Sequence, residues 1–492
     1  MIAMQLTQTD LEQLDRLGIS TERLERQIVQ IQKGIPFLAI DRPARLGDGI
    51  RMLSQAEEHF FVETFEKEAA SFRISKFVPA SGAATRMFQS LFQFLEQHSE
   101  SSALPEEDPE IRQFFDQFDK FPFASEALSG VKANELSAEE KISLVRKLLF
   151  EHPFNFASKP KALLPFHKGT DLERMPLYTQ LDEAIQYANS AVHFTLSEAH
   201  LDSVTQTVNR LLTALPSAVE VSYSFQKSAT DTIALYEDFS FVRTLKGEPL
   251  FRPAGHGALI ENLGEQSSDF VFIKNIDNVS VPNNRPTHDH YKKVLGGMAI
   301  GVQRQIHNYQ KEICESVDNL NLQEVINFLK THFGYSFEGL EHSDLIFALK
   351  DALFRPLRVC GMVKNEGEPG GGPFWVHGSD GVRLQIVEAA QFDKNDPEQL
   401  SHLHNASHFN PVDLVCALTD HTGGQYALTD FVDHKQGFIA HKTFEGRPIF
   451  GLELPGLWNG AMAYWNTIFV EIPPITFNPV KTINDLLRAT HQ

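Results

Sequence analysis

A run of four large apolar residues, Phe270-Val271-Phe272-Ile273, is the feature that most restricts how this chain can fold. A short, unbroken apolar run with polar residues after it indicates a strand that is buried on both faces. The mostly polar stretch 274–278 follows at once, which places Asp277 at the predicted carboxyl end of that strand. Ligands of open α/β sheets bind outside the carboxyl ends of the strands, so this is the first place to expect a site.

Other stretches alternate between strand and helix patterns. Residues 74–78 and 192–196 are predicted to be buried strands, and residues 219–225 alternate apolar with polar side chains as a half-buried strand does. Helical spacing of apolar residues is found at 9–33 and from about 301 to 332. This alternation predicts an α/β sheet core.

A helical insertion is predicted at about 96–150. Ser137 and Glu140 have the spacing of a capping box ahead of an apolar helical pattern. The acidic, proline-flanked segment 106–109 is predicted to be a loop. A strand-rich second half is expected from about residue 357 to the end of the sequence.

Composition limits the classes of function. The chain has 492 residues, of which 44 are basic and 64 acidic, so its net charge is −20. A diffuse surface for nucleic acid is therefore not expected. The three cysteines are far apart and form no zinc or disulfide pattern, and the N-terminus lacks the order of a signal peptide. We expect a cytoplasmic protein without a membrane partner; the sequence does not indicate its oligomeric state.

A turn of small residues follows the strand at 74–78. It contains Ala80, Ser81, Gly82 and Ala83, and a helix is predicted to begin near Thr85. Backbone N–H groups in such a turn can approach phosphates at a helix N-terminus, and Arg86 would add a cation with fork geometry. A tight strand–helix turn without a ligand is the simpler interpretation of this stretch taken alone.

Two proline-flanked lysines stand in similar settings. Lys161 follows Pro160 ahead of an apolar run, and Lys481 follows Pro479-Val480 ahead of a helix start. Each could be held rigidly to meet a phosphate. A solvated loop for the first and a surface lysine for the second are the alternatives.

Asp277 could hold Mg²⁺ beside substrate phosphates, because Mg²⁺ keeps several waters and needs few protein ligands. A turn or helix cap is the alternative role of this carboxylate. The stretch 252–257, which includes Gly255 and His256, comes before the strand and forms a further glycine-containing turn.

In this order the motifs resemble those of the eukaryotic-type UDP-sugar pyrophosphorylases. This group includes UTP–glucose-1-phosphate uridylyltransferase and UDP-N-acetylglucosamine pyrophosphorylase. The segments 79–87, 160–161, 255–257, 272–278 and 479–487 are similar to the nucleotide loop, the first lysine motif, the Gly-His-Gly turn, the metal-binding strand end and the C-terminal lysine motif. Three further motifs, at 225–226, 387–391 and 409–410, are similar to parts of the uracil and sugar pockets.

The resemblance implies a function and a set of roles. A sugar 1-phosphate and UTP would be converted into a UDP-sugar and pyrophosphate with Mg²⁺. The implied catalytic residues are Arg86, Lys161 and Lys481, and the implied metal ligand is Asp277. The implied nucleotide contacts are Ala80, Ser81, Gly82, Ala83, Thr85, Gln226, Gly255 and His256. Glu388 and Asn410 would hold the sugar hydroxyls.

The resemblance also implies an architecture. The core would be a mixed, mostly parallel, Rossmann-like sheet of the nucleotide-diphospho-sugar transferase type at 73–487, preceded by an N-terminal helical extension at 1–72. Within the core, the nucleotide-binding half would be 73–300 and the sugar-binding half 357–440, with the C-terminal lysine motif at 477–487. Helical insertions are expected at about 96–150 and 300–356.

The sequence departs from the pattern of these enzymes at several points. Ser81 and Ala84 stand where the group prefers glycine, and the gap from Arg86 to Lys159 is much longer than in the group, which implies an inserted helical lid or subdomain. Pro411 replaces an asparagine that often follows the Phe-Asn pair. These departures favour a bacterial branch with its own sugar.

Other functions remain open at this stage. A glycosyltransferase of the same fold would use Asp277 but has no need of both lysine motifs, and a non-catalytic nucleotide-sugar-binding protein would tolerate Ser81 and Ala84. Two histidine clusters, at 288–290 and 402–408, are predicted to be polar loops, with zinc binding as a less favoured alternative. The acidic, glycine-rich segment 366–373 is interpreted as a lid or a sugar-contact loop, with a mobile loop as the alternative.

Overall fold

A computed structural model of the chain describes residues 6–82, 84–97, 108–128, 130–317, 320–367, 371–378 and 381–492. The helices are, in chain order, α1 (Gln8–Leu17), α2 (Thr21–Lys33), α3 (Gln55–Glu68), α4 (Gln89–Gln97), α5 (Pro109–Asp116), α6 (Ala124–Ala127), α7 (Ala138–Phe150), α8 (Pro176–Tyr187), α9 (Leu201–Leu212), α10 (Ile260–Gly264), α11 (Arg285–Glu315), α12 (Leu322–Phe333), α13 (His342–Leu353) and α14 (Pro397–His404). In these ranges no helix combines the length and apolar character needed to cross a membrane.

The strands are, in chain order, β1 (Ile40–Pro43), β2 (Arg45–Leu46), β3 (Gly49–Arg51), β4 (Ile74–Pro79), β5 (Ala191–Leu196), β6 (Glu220–Phe225), β7 (Thr232–Tyr236), β8 (Phe251–Arg252), β9 (Phe270–Lys274), β10 (Leu357–Lys364), β11 (Gly372–Gly378), β12 (Gly381–Val387), β13 (His408–Phe409), β14 (Asp413–Ala417), β15 (Phe438–Phe444), β16 (Arg447–Glu453) and β17 (Asn466–Glu471). The predicted α/β class is confirmed. The strands at 74–78, 192–196, 219–225 and 270–273 are also confirmed, each with one bound that shifts by one residue.

The chain divides into two compact units whose segments interleave. The first unit consists of Met1–Arg73, Gln226–Val271 and Val294–Ile472, and the second of Ile74–Phe225, Phe272–Lys293 and Pro473–Gln492. The sequence predicted contiguous halves instead. Interleaving has no local sequence signal, because it depends on which distant segments pack together.

The first unit contains three sets of paired strands. In one set β2, β3, β17 and β10 are parallel neighbours, and β14 pairs antiparallel with β10. The other two sets are antiparallel, in the orders β1-β11-β12 and β15-β16-β7-β8. Helices α1 and α2 cover β7 and β16 with Leu14, Leu24 and Ile31.

The second unit has the strand order β9-β4-β5-β6, in which β4, β5 and β6 are parallel. Strand β4 is buried along most of its length, and β9 is buried throughout. The mostly parallel character predicted for the central strands is therefore present. Asp277 follows β9 by three residues, as the apolar run predicts.

The helical insertion in the second unit has an apolar core with an unusual composition. It is rich in phenylalanine, and Phe114 is in contact with Phe115, Phe118 and Phe121 at ring-centroid distances of 5.1–5.4 Å. The capping box of Ser137 and Glu140 is confirmed at the start of α7. The same apolar core includes Val279, Val480, Ile483 and Leu486. The insertion therefore packs on the C-terminal lysine motif.

Several local predictions were wrong. The segment 1–72 is not purely helical, because β1, β2 and β3 lie in it. The helix expected near Thr85 begins at Gln89, after a 3₁₀ turn at Ala84–Arg86. Pro109 begins α5, since proline suits the first helical turn and Asp108 caps it; residues 106 and 107 lie outside the described part of the chain.

The helical region predicted at 300–356 begins earlier, at Arg285. The first histidine cluster, predicted to be a loop, therefore lies in α11. In the second cluster His402 and His404 lie in α14 and His408 in β13. Charged and polar residues on the first turns of these helices concealed their helical pattern.

Candidate active site

The ammonium group of Lys161 joins two predicted motifs in the second unit. Its Nζ donates to Asp277 Oδ2 at 2.8 Å and to the backbone carbonyl of Val480 at 2.7 Å. The side chains of Lys161 and Asp277 are 15% and 17% exposed. A partly enclosed ion pair of this kind is less screened by solvent than a surface pair. The residue before Lys481 is thereby tied to the predicted metal carboxylate.

The segment before Lys481 is fixed beside the turn that carries Asp277. Asn278 and Pro479 form an antiparallel bridge, and Asn278 Oδ1 accepts the N–H of Asn478 at 2.8 Å. Asp485 Oδ2 accepts the N–H groups of Lys481 and Thr482, both at 2.7 Å. The backbone at Lys481 is therefore held near Asp277, and the Lys481 side chain is exposed. Their predicted roles in turnover remain predictions.

The predicted nucleotide loop follows β4 in the same unit. Ala80 is buried and its N–H donates to the carbonyl of Thr195 at 2.9 Å, whereas Ser81, Gly82, Thr85 and Arg86 are exposed. Ala83 lies outside the described residues. A Cβ at Gly82 would meet open space. In the described ranges, neither Thr85 nor Arg86 forms a hydrogen bond or ion pair with Lys161 or Asp277.

Three predicted residues meet in the first unit. Gly255, His256 and Glu388 line one small cleft of about 60 Å³, together with Glu453, Gln436 and Asn459. Glu388 follows β12 and its side chain caps the 3₁₀ turn Ala389–Gln391. Glu453 Oε1 accepts Lys442 Nζ at 2.6 Å. The cleft therefore presents two carboxylates and a histidine, which suits a ligand that donates hydrogen bonds.

The tautomer of His256 follows from its contacts. Its Nδ1 accepts the backbone N–H of Leu457 at 2.9 Å, and its ring stacks on Trp458 with centroids 4.1 Å apart. Removal of the ring from water lowers the pKa of His256 to about 4. The imidazole is thus neutral near pH 7, with its proton on Nε2, and can act as a single donor.

Packing explains both glycines of the Gly-His-Gly turn. Gly255 has φ 82°, a conformation that disfavours residues with a Cβ, and a Cβ there would collide with the Glu453 carboxylate. A Cβ at Gly257 would collide with the carbonyl oxygen of Pro455. The turn is therefore required for close packing on the segment after β16, whatever ligand the cleft accepts.

Asn410 and Gln226 also lie in the first unit. The N–H of Asn410 donates to Gly371 O at 3.0 Å, and a Cβ at Gly371 would lie 3.1 Å from Glu388 Oε1, so both predicted sugar residues flank Gly371. Asn410 Oδ1 accepts the N–H of Val412 at 3.1 Å, and the side chain is buried.

Gln226 is half-buried, with its amide 3.4 Å from Thr230 and from Asp231.

The protein offers a divalent cation at Asp277 only one carboxylate, so a bound Mg²⁺ would need most of its ligands from elsewhere. The described residues contain no group of three or more His, Cys, Asp or Glu side chains that could hold a metal. One partly exposed carboxylate is nevertheless sufficient where waters and substrate phosphates supply the other ligands, which is the usual Mg²⁺ arrangement. The site therefore fits Mg²⁺ together with a phosphate substrate. Zinc binding by the histidine clusters finds no support in the same residues.

Two contributors were missed from the sequence. The carbonyl of Val480 has no side-chain signature, and only the motif containing Lys481 pointed to that segment. Glu453 is separated from Gly255 by 198 positions and ends an antiparallel strand. The short run Ile449-Phe450-Gly451-Leu452 directly before Glu453 is the one signal that could have drawn attention to it.

The comparisons place the chain in a family of proteins. The chain belongs to the family described as Domain of unknown function (DUF4301), whose model matches residues 7–492. A search of curated proteins found no match.

Several solved structures are similar to this chain. A mutant UDP-glucose pyrophosphorylase from Leishmania major is 15% identical, with a TM-score of 0.44, over 98% of this chain and 79% of that chain. A UDP-glucose phosphorylase from Trypanosoma brucei is 14% identical, with a TM-score of 0.46, over 97% and 77%. A protein from Entamoeba histolytica assigned as UDP-N-acetylglucosamine pyrophosphorylase is 10% identical, with a TM-score of 0.42, over 89% and 82%. The names of the first and the third are those of UDP-sugar pyrophosphorylases, the group that the motifs resemble.

Proposed function

We propose that this protein is a cytoplasmic, Mg²⁺-dependent nucleotidyltransferase that converts a sugar 1-phosphate and UTP into a UDP-sugar and pyrophosphate. The observation that carries the proposal is the Lys161 ammonium group, which contacts Asp277 and the carbonyl of Val480. Three motifs that are far apart in sequence thus meet at one point, and this meeting supports the proposal. A nucleotide-diphospho-sugar transferase type of sheet is part of the same proposal.

The reaction needs no nucleophilic side chain. An oxygen of the sugar phosphate attacks the α-phosphorus of UTP in line, the bond from that phosphorus to the β-phosphate oxygen breaks, and pyrophosphate leaves. The protein contributes positioning and charge neutralisation. Lys161, Lys481 and Arg86 are the cations for the phosphates, and Asp277 would hold Mg²⁺. When bound, Mg²⁺ would neutralise the phosphate oxygens.

Charge considerations support focused cations. The protein has a net charge of −20, so it offers no general attraction to a triphosphate and a sugar phosphate. Local cations in a partly enclosed site must therefore supply the neutralisation, and each is worth more there than in bulk water. Glu388 and Asn410 would take the sugar hydroxyls, while Gln226, Gly255 and His256 would take the nucleotide.

The test measures pyrophosphate release from each of UTP, ATP, GTP and CTP with a panel of sugar 1-phosphates and Mg²⁺. We expect UTP to be used best, because an amide such as that of Gln226 can pair with both a donor and an acceptor on a pyrimidine edge. Asp277→Ala should abolish turnover in the same assay while the protein stays folded. If the protein binds nucleotide but releases no pyrophosphate with any combination of nucleoside triphosphate and sugar 1-phosphate, it is a nucleotide-binding protein and the proposed reaction is wrong.

A further inference from the structure

Helix α8 in the second unit carries polar side chains on its buried face. Gln180 is fully buried and Glu183 is 2% exposed, and the helix packs near strands β4 and β5. Burial of polar groups is unfavourable unless they are hydrogen-bonded. Their partners therefore indicate what this face of the helix holds in place.

The amide of Gln180 contacts the backbone just before Asp277. Its Nε2 donates to the carbonyl of Asn275 at 2.9 Å and to that of Ile276 at 3.3 Å. Among the described residues its Oε1 has no hydrogen-bond partner. Two donations from one amide fix the direction of the two peptide groups that lead into Asp277.

Glu183, one turn further along α8, fixes the helix itself. Its Oε2 accepts Lys76 Nζ of β4 at 2.7 Å, and its Oε1 accepts Lys274 Nζ of β9 at 2.7 Å. Both lysines are fully buried, and Lys76 also donates to the carbonyl of Gln180 at 3.0 Å. The helix is thus tied to the strand before the nucleotide loop and to the strand before Asp277.

We propose that Gln180 is the positioning residue of the metal carboxylate: its amide orients the turn that carries Asp277, from a helix anchored by Glu183. The inference rests on the proposed function, because Asp277 is the Mg²⁺ ligand only in that function. Gln180 does not touch the metal or the substrates. Its effect is carried through two peptide groups and the direction in which the Asp277 carboxylate points.

The experiment compares Mn²⁺ binding, measured by electron paramagnetic resonance with UTP present, in the wild type and in Gln180→Met. The methionine keeps the size of the side chain but removes both donors. We expect Mn²⁺ to bind about 10–100-fold more weakly, the usual cost of removing an outer-shell hydrogen bond. Gln303→Met is the matched control, since Gln303 is also buried, donates to a backbone carbonyl (Thr419, 2.8 Å) and has an unpartnered Oε1 among the described residues.

Melting temperature separates positioning from general stability. Both variants should melt at lower temperature, but Gln303→Met should keep wild-type Mn²⁺ affinity. If Gln180→Met does not fold, Gln180→Asn, which keeps the donor but withdraws it by one methylene, should fold and still bind Mn²⁺ more weakly. In an Asp277→Ala background, Gln180→Met should lower the melting temperature without a further effect on Mn²⁺ binding.

The outcomes are distinguishable. Wild-type protein that binds no Mn²⁺ with UTP and releases no pyrophosphate overturns the proposed function and this inference with it. Wild-type protein that binds Mn²⁺ while Gln180→Met binds it equally well overturns the inference alone. Equal weakening by Gln303→Met also overturns it, because the effect would then come from lost stability.

Discussion

Lys161 occupies one oxygen of the carboxylate that is proposed to hold the metal. Its ammonium lies 2.8 Å from Asp277 Oδ2, within the range of a strong charge-assisted hydrogen bond. A divalent cation on the same oxygen would have to displace the ammonium. The freed lysine would then be available to the phosphates of the substrates.

Lys161→Met should therefore act in opposite directions on two measurements. Turnover should fall on the order of a hundredfold, because one focused positive charge is lost from the phosphate site. The binding of Mn²⁺ without nucleotide, which is weak because a single carboxylate supplies the only protein ligand, should become tighter, because Asp277 no longer has a competing cation. Paramagnetic resonance and pyrophosphate release measure the two effects.

Lys159 offers the matched control for that prediction. It stands on the other side of Pro160, and its Nζ donates to the carbonyl of Pro153 at 2.9 Å. Lys159→Met should leave both measurements close to wild type. Weaker Mn²⁺ binding in Lys161→Met would contradict the competition between lysine and metal.

Glu388→Ala and Asn410→Ala should both raise the Michaelis constant for the sugar phosphate more than that for UTP. The two variants should differ in their free energy of unfolding. Asn410 accepts the N–H of Val412, a residue with φ 55°, so its loss should destabilise the fold by about 1–3 kcal/mol. Glu388 caps only a short 3₁₀ turn and should cost less. Steady-state kinetics and thermal melting test the pair, and a change confined to the UTP constant would refute the assignment.

At the scale of elements, the helical insertion is joined to the C-terminal motif. Asn484 Nδ2 donates to the carbonyl of Glu110 in α5 at 2.8 Å, and Ile483 and Leu486 share the phenylalanine core of the insertion. The position of the backbone before Lys481 therefore depends on packing within the insertion. The helical insertion, which the sequence predicted to be an addition to the sheet core, thus supports the Lys481 segment of the candidate site.

Phe114→Ala tests this dependence. Phe114 is fully buried, and removing a buried phenylalanine side chain typically costs about 3–5 kcal/mol. We expect a lower melting temperature and lower turnover at temperatures where the protein is still folded. Phe150→Ala, at an exposed position in the same helical insertion, should leave the melting temperature and the turnover unchanged. Unchanged turnover in a destabilised Phe114→Ala would show that the insertion does not hold the motif.

Sequence patterns predicted individual helices and strands better than the way in which distant segments pack together. The apolar run before Asp277 and the capping box at Ser137 were informative because each depends on neighbouring residues alone. The start of α11 at Arg285 was missed because its first turns are polar, and the contact between Lys161 and the carbonyl of Val480 was missed because 319 positions separate them. The resemblance implied four residues around the same phosphates, Arg86, Lys161, Asp277 and Lys481. The structure brings Lys161, Asp277 and the backbone before Lys481 together. In the described residues Arg86 forms no hydrogen bond or ion pair with Lys161 or Asp277.

At the scale of the whole molecule, several histidines are neutral because they are enclosed. Burial lowers the pKa of His256, His332 and His491 to about 4, from an ordinary value of 6.5. Between those values the unfolded chain binds protons that the folded protein does not. The free energy of unfolding should therefore fall as the pH is lowered from about 6.5 to about 4.

Thermal melting across that range measures the effect. His332→Phe should reduce the dependence on pH, because a phenylalanine at the same position has no proton to bind in the unfolded state. The variant His404→Phe is a useful comparison, because the His404 side chain is exposed whereas that of His332 is half-buried. A melting temperature that is constant over this range would contradict the neutral, buried state of these imidazoles.

The bridge made by Lys161 has a consequence for the time course of synthesis. Its two partners follow it by 116 and 319 positions along the chain. At roughly 5–20 residues per second, the carbonyl of Val480 is made about 15 s to about 1 min after the lysine that will bind it. A ribosome-bound chain that has not reached Val480 carries Lys161 and Asp277 but lacks the carbonyl that completes the contact, so this arrangement can form only after residue 480 has been translated.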